Sequence, residues 1–395
     1  QYFEKTAYVN FDNNARMKQV FEGDLDIERL VLAISAETGV SIEAENTLII
    51  FDEIQEVPKA LTSLKYFHEN APQYAIVAAG SLLGVALHQG TSFPVGKVDF
   101  LDLYPLNFRE FLCAMGEKQF VSMLDSCDTQ MVTVFKTKYI ERLREYYFVG
   151  GMPEVVKDFS EKKDYNRVRA IQKNLINYYQ QDFSKHAEIK LVPRLNLVWN
   201  SIPMQLAKEN KKYIYGQVRE GSRAKDFELA IQWLLDCGLI HKVQRIQKPD
   251  LPLKAYIDFD AFKLFLVDIG LLIAMTDLDA KVIIEGNKIF TEFKGSLTEQ
   301  YILQQLISDV GVIPYYYSTQ NSKGEIDFLV QGKTSVIPIE VKAEENLRAK
   351  SLRAFCDKYN PDYAVRTSMS DYREQDWMTN IPLYNIDRIT TFTSR

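Results

Sequence analysis

The chain has 395 residues, with 47 lysines and arginines against 53 aspartates and glutamates, for a formal net charge of -6. This length exceeds one ordinary core, and the acid excess excludes a general basic field for nucleic acid. No apolar run reaches the about 18–20 residues that cross a bilayer, and the first residues do not form a signal peptide. Four scattered cysteines are typical of a reducing compartment. We therefore expect a cytoplasmic multidomain protein without a membrane partner.

The first region, residues 1–125, contains three short apolar runs, each ending in polar residues. They lie at 7–11, 47–51 and 74–78, with helical stretches between them. Strands that alternate with helices predict a parallel sheet, and continuous apolar runs predict that helices cover both of its faces. The sequence therefore predicts an α/β domain here.

Two carboxylates follow the second of these strands at once, at Asp52 and Glu53. An aspartate at the carboxyl edge of a sheet can hold Mg²⁺ through its water shell, and the glutamate can polarise a water towards a γ-phosphate. The alternative is a solvated acidic turn. Ser81 follows the next strand and is predicted to face the same crevice as a γ-phosphate sensor, the alternative being a turn serine.

The segments LIIFDEIQEVPKALTSLKYF, AAGSLLGVAL and VGKVDFLDLYPLNFREFL resemble a prokaryotic family of AAA-type ATPases. Members of that family carry a C-terminal domain of unknown function related to restriction endonucleases, and the resemblance covers nearly the whole chain. It implies a P-loop NTPase fold that binds ATP and Mg²⁺. It also implies that the Asp52 carboxylate binds on the side of Mg²⁺ and that the Glu53 carboxylate is catalytic. The resemblance further implies a bacterial protein that can form a homo-oligomer.

The chain departs from the family pattern in two places. The family opens with a strand and a glycine-rich phosphate loop (Walker A), but the chain begins with Gln1 and contains no GxxxxGK[ST]. We expect that the first strand and the loop were left out of this sequence; the alternative is a form that binds ATP poorly. The family often has Gly-Arg at Gly96-Lys97, where an arginine could act on a neighbouring subunit's nucleotide. Lys97 keeps the charge without the bidentate fork. Arg109 is an alternative for that role, unless it lies on a solvated helix face.

The middle of the chain is predicted as a helical lid-like region at 126–190 and a winged helix at 191–260. The second prediction depends on two helices followed by a hairpin at 239–257. Residues 208–225 carry six basic residues against two acidic ones, a patch that could meet a DNA backbone. The alternative is that the helix pair docks the flanking domains. The candidate nucleic-acid contacts are Lys211, Lys212, Arg219, Arg223 and Lys225.

The C-terminal region, 261–395, returns to an α/β pattern. Glu299 lies on a predicted helix at 297–309, Asp327 on a strand at 325–330, and Glu340 and Lys342 on a strand at 335–341. This spacing resembles the PD-(D/E)xK nuclease core, in which Asp327 and Glu340 would hold metal and Lys342 would orient water. The alternative is an ion pair between Glu340 and Lys342. Three tyrosines at 315–317 are core residues or stack on bases.

Together these patterns favour an ATP-driven conformational switch that acts on a protein or nucleic-acid partner. Two alternatives remain. One is a Mg²⁺-dependent DNA nuclease with a regulatory ATPase domain. The other is a non-catalytic binding protein in which both sites have decayed.

Overall fold

The computed structural model describes residues 2–80, 96–208, 211–285, 291–319, 324–345 and 349–394. Their contacts divide the chain into two compact units. The N-terminal unit comprises residues 1–103 with 232–238, and the C-terminal unit comprises 104–231 with 239–395. Each unit is described separately.

The N-terminal unit contains a parallel three-stranded sheet in the order β1-β2-β3. Its helices begin at residues suited to the first turn, because the Asn14 and Asp26 side chains accept backbone N–H groups and Pro58 needs no N–H partner. The predicted parallel sheet is confirmed. The elements are β1 (Lys5–Asn10), α1 (Ala15–Glu22), α2 (Ile27–Thr38), β2 (Thr47–Asp52), a 3-10 turn (Ile54–Glu56), α3 (Pro58–Asn70) and β3 (Ala75–Ala78).

The two faces of this sheet differ in burial. Ala7 and Ile49 belong to the face that packs into the core with α1, α2 and α3. On the other face Tyr8, Ile50 and Val77 lie side by side, and Tyr8 and Val77 are 52% and 49% exposed. The expectation that helices cover both faces of the sheet is therefore wrong for the described residues. Successive side chains of β2 alternate between the buried face and the half-open face.

The C-terminal unit begins with a run of helices, and the prediction that residues 126–190 are helical is confirmed. The break predicted after α7 is present, where Gly150 adopts a φ of +75° that a side chain would strain. The helices are α4 (Phe108–Ala114), α5 (Lys118–Asp125), α6 (Thr129–Val134), α7 (Lys136–Val149), α8 (Pro153–Lys162), α9 (Tyr165–His186), α10 (Val192–Leu206), α11 (Tyr215–Val218) and α12 (Ala224–Asp236), whose residues from 232 onward belong to the N-terminal unit.

An eight-stranded mixed sheet follows, in the order β10-β11-β9-β8-β7-β6-β4-β5. Its strands are β4 (Ile240–Ile246), β5 (Ile257–Leu266), β6 (Tyr315–Ser318), β7 (Glu325–Gln331), β8 (Val336–Val341), β9 (Val365–Ser368), β10 (Arg373–Glu374) and β11 (Thr379–Pro382). The accompanying helices are α13 (Ile269–Met275), α14 (Ala280–Ile284), α15 (Thr291–Ser308), α16 (Lys350–Tyr359) and α17 (Thr390–Thr393), with 3-10 turns at Leu253–Tyr256 and Leu383–Ile389.

The hairpin predicted as the wing of a winged helix is formed by β4 and β5, but it belongs to this larger sheet. β4 pairs with β6, and the boundary predicted at residue 260 falls inside β5. The winged helix and the boundaries at 125 and 190 stay predictions.

Helix α15 crosses the interior of the C-terminal unit and is anchored by buried glutamines. Gln300 caps the end of β5, accepting from the Leu266 N–H at 3.0 Å and donating to its carbonyl at 2.7 Å. Gln305 accepts the Phe108 N–H at 2.8 Å. These bonds fix the helix that carries Glu299. The tyrosines at 315–317 are buried, so the core interpretation is confirmed and base stacking is wrong.

Candidate functional site

Asp52 is the last residue of β2, at the edge where the three parallel strands end. It lies beside Asn10 of β1, and the preceding Phe51 lies beside Ala78 of β3. The strand register places the Asp52 side chain on the half-open face, in line with Tyr8. A buried strand thus fixes the backbone of Asp52 while its carboxylate stays accessible.

Neutral donors hold the Asp52 carboxylate in place. The Tyr8 hydroxyl and the Asn10 Nδ2 atom, the latter at 3.1 Å, both donate to Oδ2, and the Glu53 N–H donates to Oδ1 at 3.0 Å. The hydrogen bond to Asp52 raises the pKa of Tyr8, because the carboxylate stabilises the protonated phenol. Within the described ranges no lysine or arginine forms an ion pair with Asp52. The carboxylate is therefore oriented without a counter-charge.

Glu53 adopts a left-handed backbone conformation, with φ 51° and ψ 43°. For a residue with a side chain this conformation costs about 1–2 kcal/mol. The Gln55 amide donates to Glu53 Oε2 and holds the side chain over the 3-10 turn. Backbone strain of this kind concentrates at functional sites.

The donor chemistry of this site fits Mg²⁺ shared with phosphate. Magnesium is usually held by one or two carboxylates together with phosphate oxygens and water, so Asp52 is a sufficient protein ligand. Among the residues that the structure describes, no group of three or more His, Cys, Asp or Glu side chains is arranged to hold a metal ion.

The other two residues predicted for this site are not seen beside Asp52. Ser81 lies outside the described residues. The Lys97 Nζ atom lies 3.4 Å from an oxygen of Glu69, near the end of α3. The helix rises about 17 Å from its first residue, Pro58, to Glu69, so this ion pair lies at the end of α3 that is further along the chain from Glu53. Action of Lys97 on a neighbouring subunit's nucleotide stays a prediction.

Arg109, the alternative to Lys97, is engaged within the C-terminal unit. Its guanidinium pairs with Asp387 at 2.7 Å and also with Asp125, and its side chain is 17% exposed. The interpretation as a solvated helix face is therefore wrong, because two carboxylates already neutralise the group.

The predicted nuclease site lies where α15, β5 and β7 meet. Lysine side chains form ion pairs with its acidic residues. The Lys263 side chain is fully buried, with Nζ 2.5 Å from Glu325 Oε1 and 3.7 Å from Glu299 Oε2. Lys211 pairs with the other Glu299 oxygen. Burial opposes the ionisation of Glu299, but Lys211 and Lys263 hold its pKa below the usual value.

Asp327 completes this group, which we call the lysine–acid cluster: Lys211, Lys263, Glu299, Glu325 and Asp327. A register shift between β6 and β7 places a bulge at this point of β7, and bulges re-aim side chains. Asp327 accepts the Val341 N–H at 2.8 Å. Desolvation and the nearby Glu299 carboxylate raise the pKa of Asp327 to about 8, so it carries a proton at neutral pH.

Glu340 and Lys342 pair with each other on β8 and just beyond it. Lys342 Nζ lies 2.7 Å from Glu340 Oε1, and Glu340 is buried. These two residues form the ion pair of the alternative interpretation, although that interpretation placed the pair on an exposed sheet and Glu340 is buried. Glu299 and Glu340 of the predicted nuclease site are thus paired with lysines, and metal binding at that site stays a prediction.

The basic patch of the middle region is smaller than predicted. Lys211 is 13% exposed and belongs to the lysine–acid cluster, so it is not open to a phosphate backbone. Lys212 is half-buried. Arg219, Arg223 and Lys225 are exposed, and their contact with DNA stays a prediction.

Sequence reasoning missed Tyr8, Asn10, Lys263 and Glu325. Tyr8 and Asn10 could have been found, since period-two alternation places them on one face of β1, next to the Asp52 strand. Lys263 interrupts the apolar run 261–266, and a lone lysine in a buried strand requires an acid partner. Which acid it meets depends on strand order, and the sequence does not show that order.

Three family models match separate parts of the chain. Residues 1–112 match an AAA domain, residues 140–282 match a domain of unknown function (DUF8612), and residues 294–386 match a domain of unknown function (DUF4143). The N-terminal part is therefore an AAA-type domain, as the resemblance predicted. No curated protein matches the chain.

The chain is also similar to a solved structure, the Walker-type ATPase PABY2304 of Pyrococcus abyssi. The two share 12% identity and superpose with a TM-score of 0.39, over 69% of this chain and 84% of that one. We draw no argument from a similarity of this size. A separate feature concerns membranes: within the described ranges, every helix is too short or too polar to cross a bilayer.

Proposed function

We propose that the N-terminal unit is the nucleotide-binding part of a Mg²⁺-dependent AAA-type ATPase. The observation that carries this proposal is the Asp52 carboxylate, which lies at the end of a buried parallel strand and is held by neutral donors. The match of residues 1–112 to an AAA domain supports it. ATP and Mg²⁺ are the cofactors that AAA domains in general use.

Each residue has a distinct proposed role. Asp52 would hold Mg²⁺, and the ion would neutralise phosphate charge. Tyr8 and Asn10 fix the carboxylate through Oδ2, and Oδ1 accepts the Glu53 N–H. Glu53 accepts the proton of the attacking water as general base, and Gln55 orients its carboxylate.

Residues 1–395 contain no GxxxxGK[ST] loop, the element through which P-loop proteins hold phosphate. The described sheet also has a half-open face. Tyr8, Ile50 and Val77 form a row there that elements of a complete nucleotide domain would cover. We propose that a preceding strand and phosphate loop complete both the sheet and the site.

The test uses an extended form, in which a strand and a GxxxxGK[ST] loop precede Gln1. We expect it to release phosphate from ATP, and Glu53→Gln to lower turnover by about 100-fold or more while nucleotide binding persists. Asp52→Asn should raise the Mg²⁺ concentration needed for binding.

Glu56→Gln is the matched control, because Glu56 lies on the same turn and pairs with Lys18 at 3.7 Å. Its turnover should stay unchanged. The proposal fails if the extended form neither binds nor hydrolyses ATP, or if Glu56→Gln is as harmful as Glu53→Gln.

We also propose that nucleotide binding acts as a switch on a protein or nucleic-acid partner. Exposed Arg219, Arg223 and Lys225 support a nucleic-acid partner. If they contact phosphates, replacing Arg219 and Arg223 by glutamine should weaken duplex DNA binding and lower its salt dependence by about two counterions. DNA binding that is unchanged by this double substitution would contradict a role for these two arginines. A homo-oligomer and a cytoplasmic location stay predictions.

A further inference from the structure

An open cavity of about 760 Å³ lies in the C-terminal unit, where α16, the β10–β11 hairpin and α17 meet. Its size is within the range of ligand sites. It is separate from the lysine–acid cluster and shares no residue with it. Four carboxylates and two guanidiniums line it, leaving a surplus of two negative charges: Asp357, Asp362, Glu374, Asp376, Arg353 and Arg388.

The protein's own arginines show what this cavity accommodates. The Arg353 guanidinium lies 5.0 Å from the Trp377 ring centroid and 3.0 Å from an Asp357 carboxylate oxygen. The Arg388 guanidinium lies 4.0 Å from the Tyr372 ring centroid. A guanidinium over an aromatic face with a carboxylate beside it is a favourable environment for a cation.

The remaining carboxylates have no such cation. Glu374 accepts the Tyr372 hydroxyl at 2.5 Å, and no described residue forms an ion pair with Asp362 or Asp376. All three are exposed. An anionic ligand would meet this surplus of negative charge, whereas a cationic one would neutralise it.

The cavity adjoins a free sheet edge. β10 is the outermost strand of the described sheet, pairing only with β11, and its residue Glu374 lines the cavity. An unpaired edge offers backbone N–H and C=O groups to an extended chain. The unpaired edge of β10 and the negative charge of the cavity together favour a cationic peptide over a small free amine.

We propose that this cavity binds an extended, arginine- or lysine-bearing segment of a partner protein. Backbone pairing along β10 would align the segment, and its cationic side chains would meet Asp362, Glu374 and Asp376.

The test is a calorimetric titration of the full chain with a capped peptide of alternating arginine and alanine. The same titration is made with a glutamate–alanine peptide of equal length and with spermidine. We expect binding of the arginine peptide only, weakening with salt. Asp362→Asn with Asp376→Asn should weaken it about tenfold, and these exposed substitutions should leave the circular dichroism spectrum unchanged.

A double variant with the same change in net charge is the control: Glu154→Gln with Glu161→Gln, on α8, away from the cavity. It should bind like the unaltered chain. The proposal is overturned if the arginine peptide does not bind, if the control loses as much affinity as the cavity variant, or if the glutamate peptide binds equally. Equal binding of spermidine would overturn the choice of a peptide.

Discussion

The two acidic sites of this molecule are built from similar residues and have opposite surroundings. In the N-terminal unit, the Asp52 carboxylate accepts hydrogen bonds from Tyr8, Asn10 and a backbone N–H, all neutral. In the C-terminal unit, Glu299 is 4% exposed and paired with two lysines. Both acids lie in α/β units, at positions where sequence motifs predict a metal-binding site.

The difference shows that the counter-ions of a carboxylate matter as much as its position. A carboxylate oriented by neutral donors keeps a charge that a hydrated cation can neutralise, whereas one inside a network of ammonium groups has already been neutralised. We therefore infer that the C-terminal site contributes to the stability of the fold, and we propose that the N-terminal site binds a ligand.

The largest change in stability is expected when Lys263 of the lysine–acid cluster is replaced. Lys263→Met leaves Glu299 and Glu325 without their shared buried cation, so the free energy of unfolding should fall by about 3–5 kcal/mol in urea titrations. Lys138→Met, which breaks an exposed ion pair with Glu141, is the control and should cost less than about 1 kcal/mol. Equal losses from the two variants would contradict a structural role for the cluster.

The next effect is the pH dependence of the stability that Asp327 contributes. Because the pKa of Asp327 is raised to about 8 in the folded chain, its protonated form stabilises the fold fully below about pH 4. That contribution is lost as pH rises through 8. Asp327→Asn mimics the protonated carboxyl and does not titrate.

The stability of Asp327→Asn relative to the unaltered chain should therefore increase between pH 5 and 8, by up to about 1.4 kcal/mol per pH unit. Thermal unfolding at a series of pH values measures it. A constant difference across this range would show that Asp327 ionises normally.

The smallest change in stability is expected at Glu53, where a substitution can relieve the backbone strain and remove the proposed general base at the same time. Glu53→Gly relieves the left-handed backbone and should stabilise the chain by about 0.5–1 kcal/mol while abolishing ATP turnover in the extended form. Lys163→Gly is the matched control, because Lys163 has a φ of 52° at the end of α8. It should give a similar gain without loss of turnover. If Glu53→Gly keeps its turnover, Glu53 is not the general base.

Much of the fold could be predicted from local patterns, and the partners of the charged residues could not. The strand before Asp52 is apolar and ends in two acids, so β2 and its site follow from the sequence. The lysine–acid cluster joins Lys211, Lys263 and Glu299, which are far apart in the chain. Their meeting depends on β4 and β5 joining the C-terminal sheet, and a hairpin pattern does not show which sheet it joins.

We expect the accessible Asp52 carboxylate, and not the lysine–acid cluster, to take part in binding a ligand. A calorimetric titration of the extended form with Mg·ATP tests it most directly, in the unaltered chain and in Asp52→Asn and Asp327→Asn. The account predicts binding that Asp52→Asn weakens at least tenfold and Asp327→Asn leaves unchanged. Absence of Mg·ATP binding in the unaltered extended form, or loss of binding in Asp327→Asn alone, would contradict it.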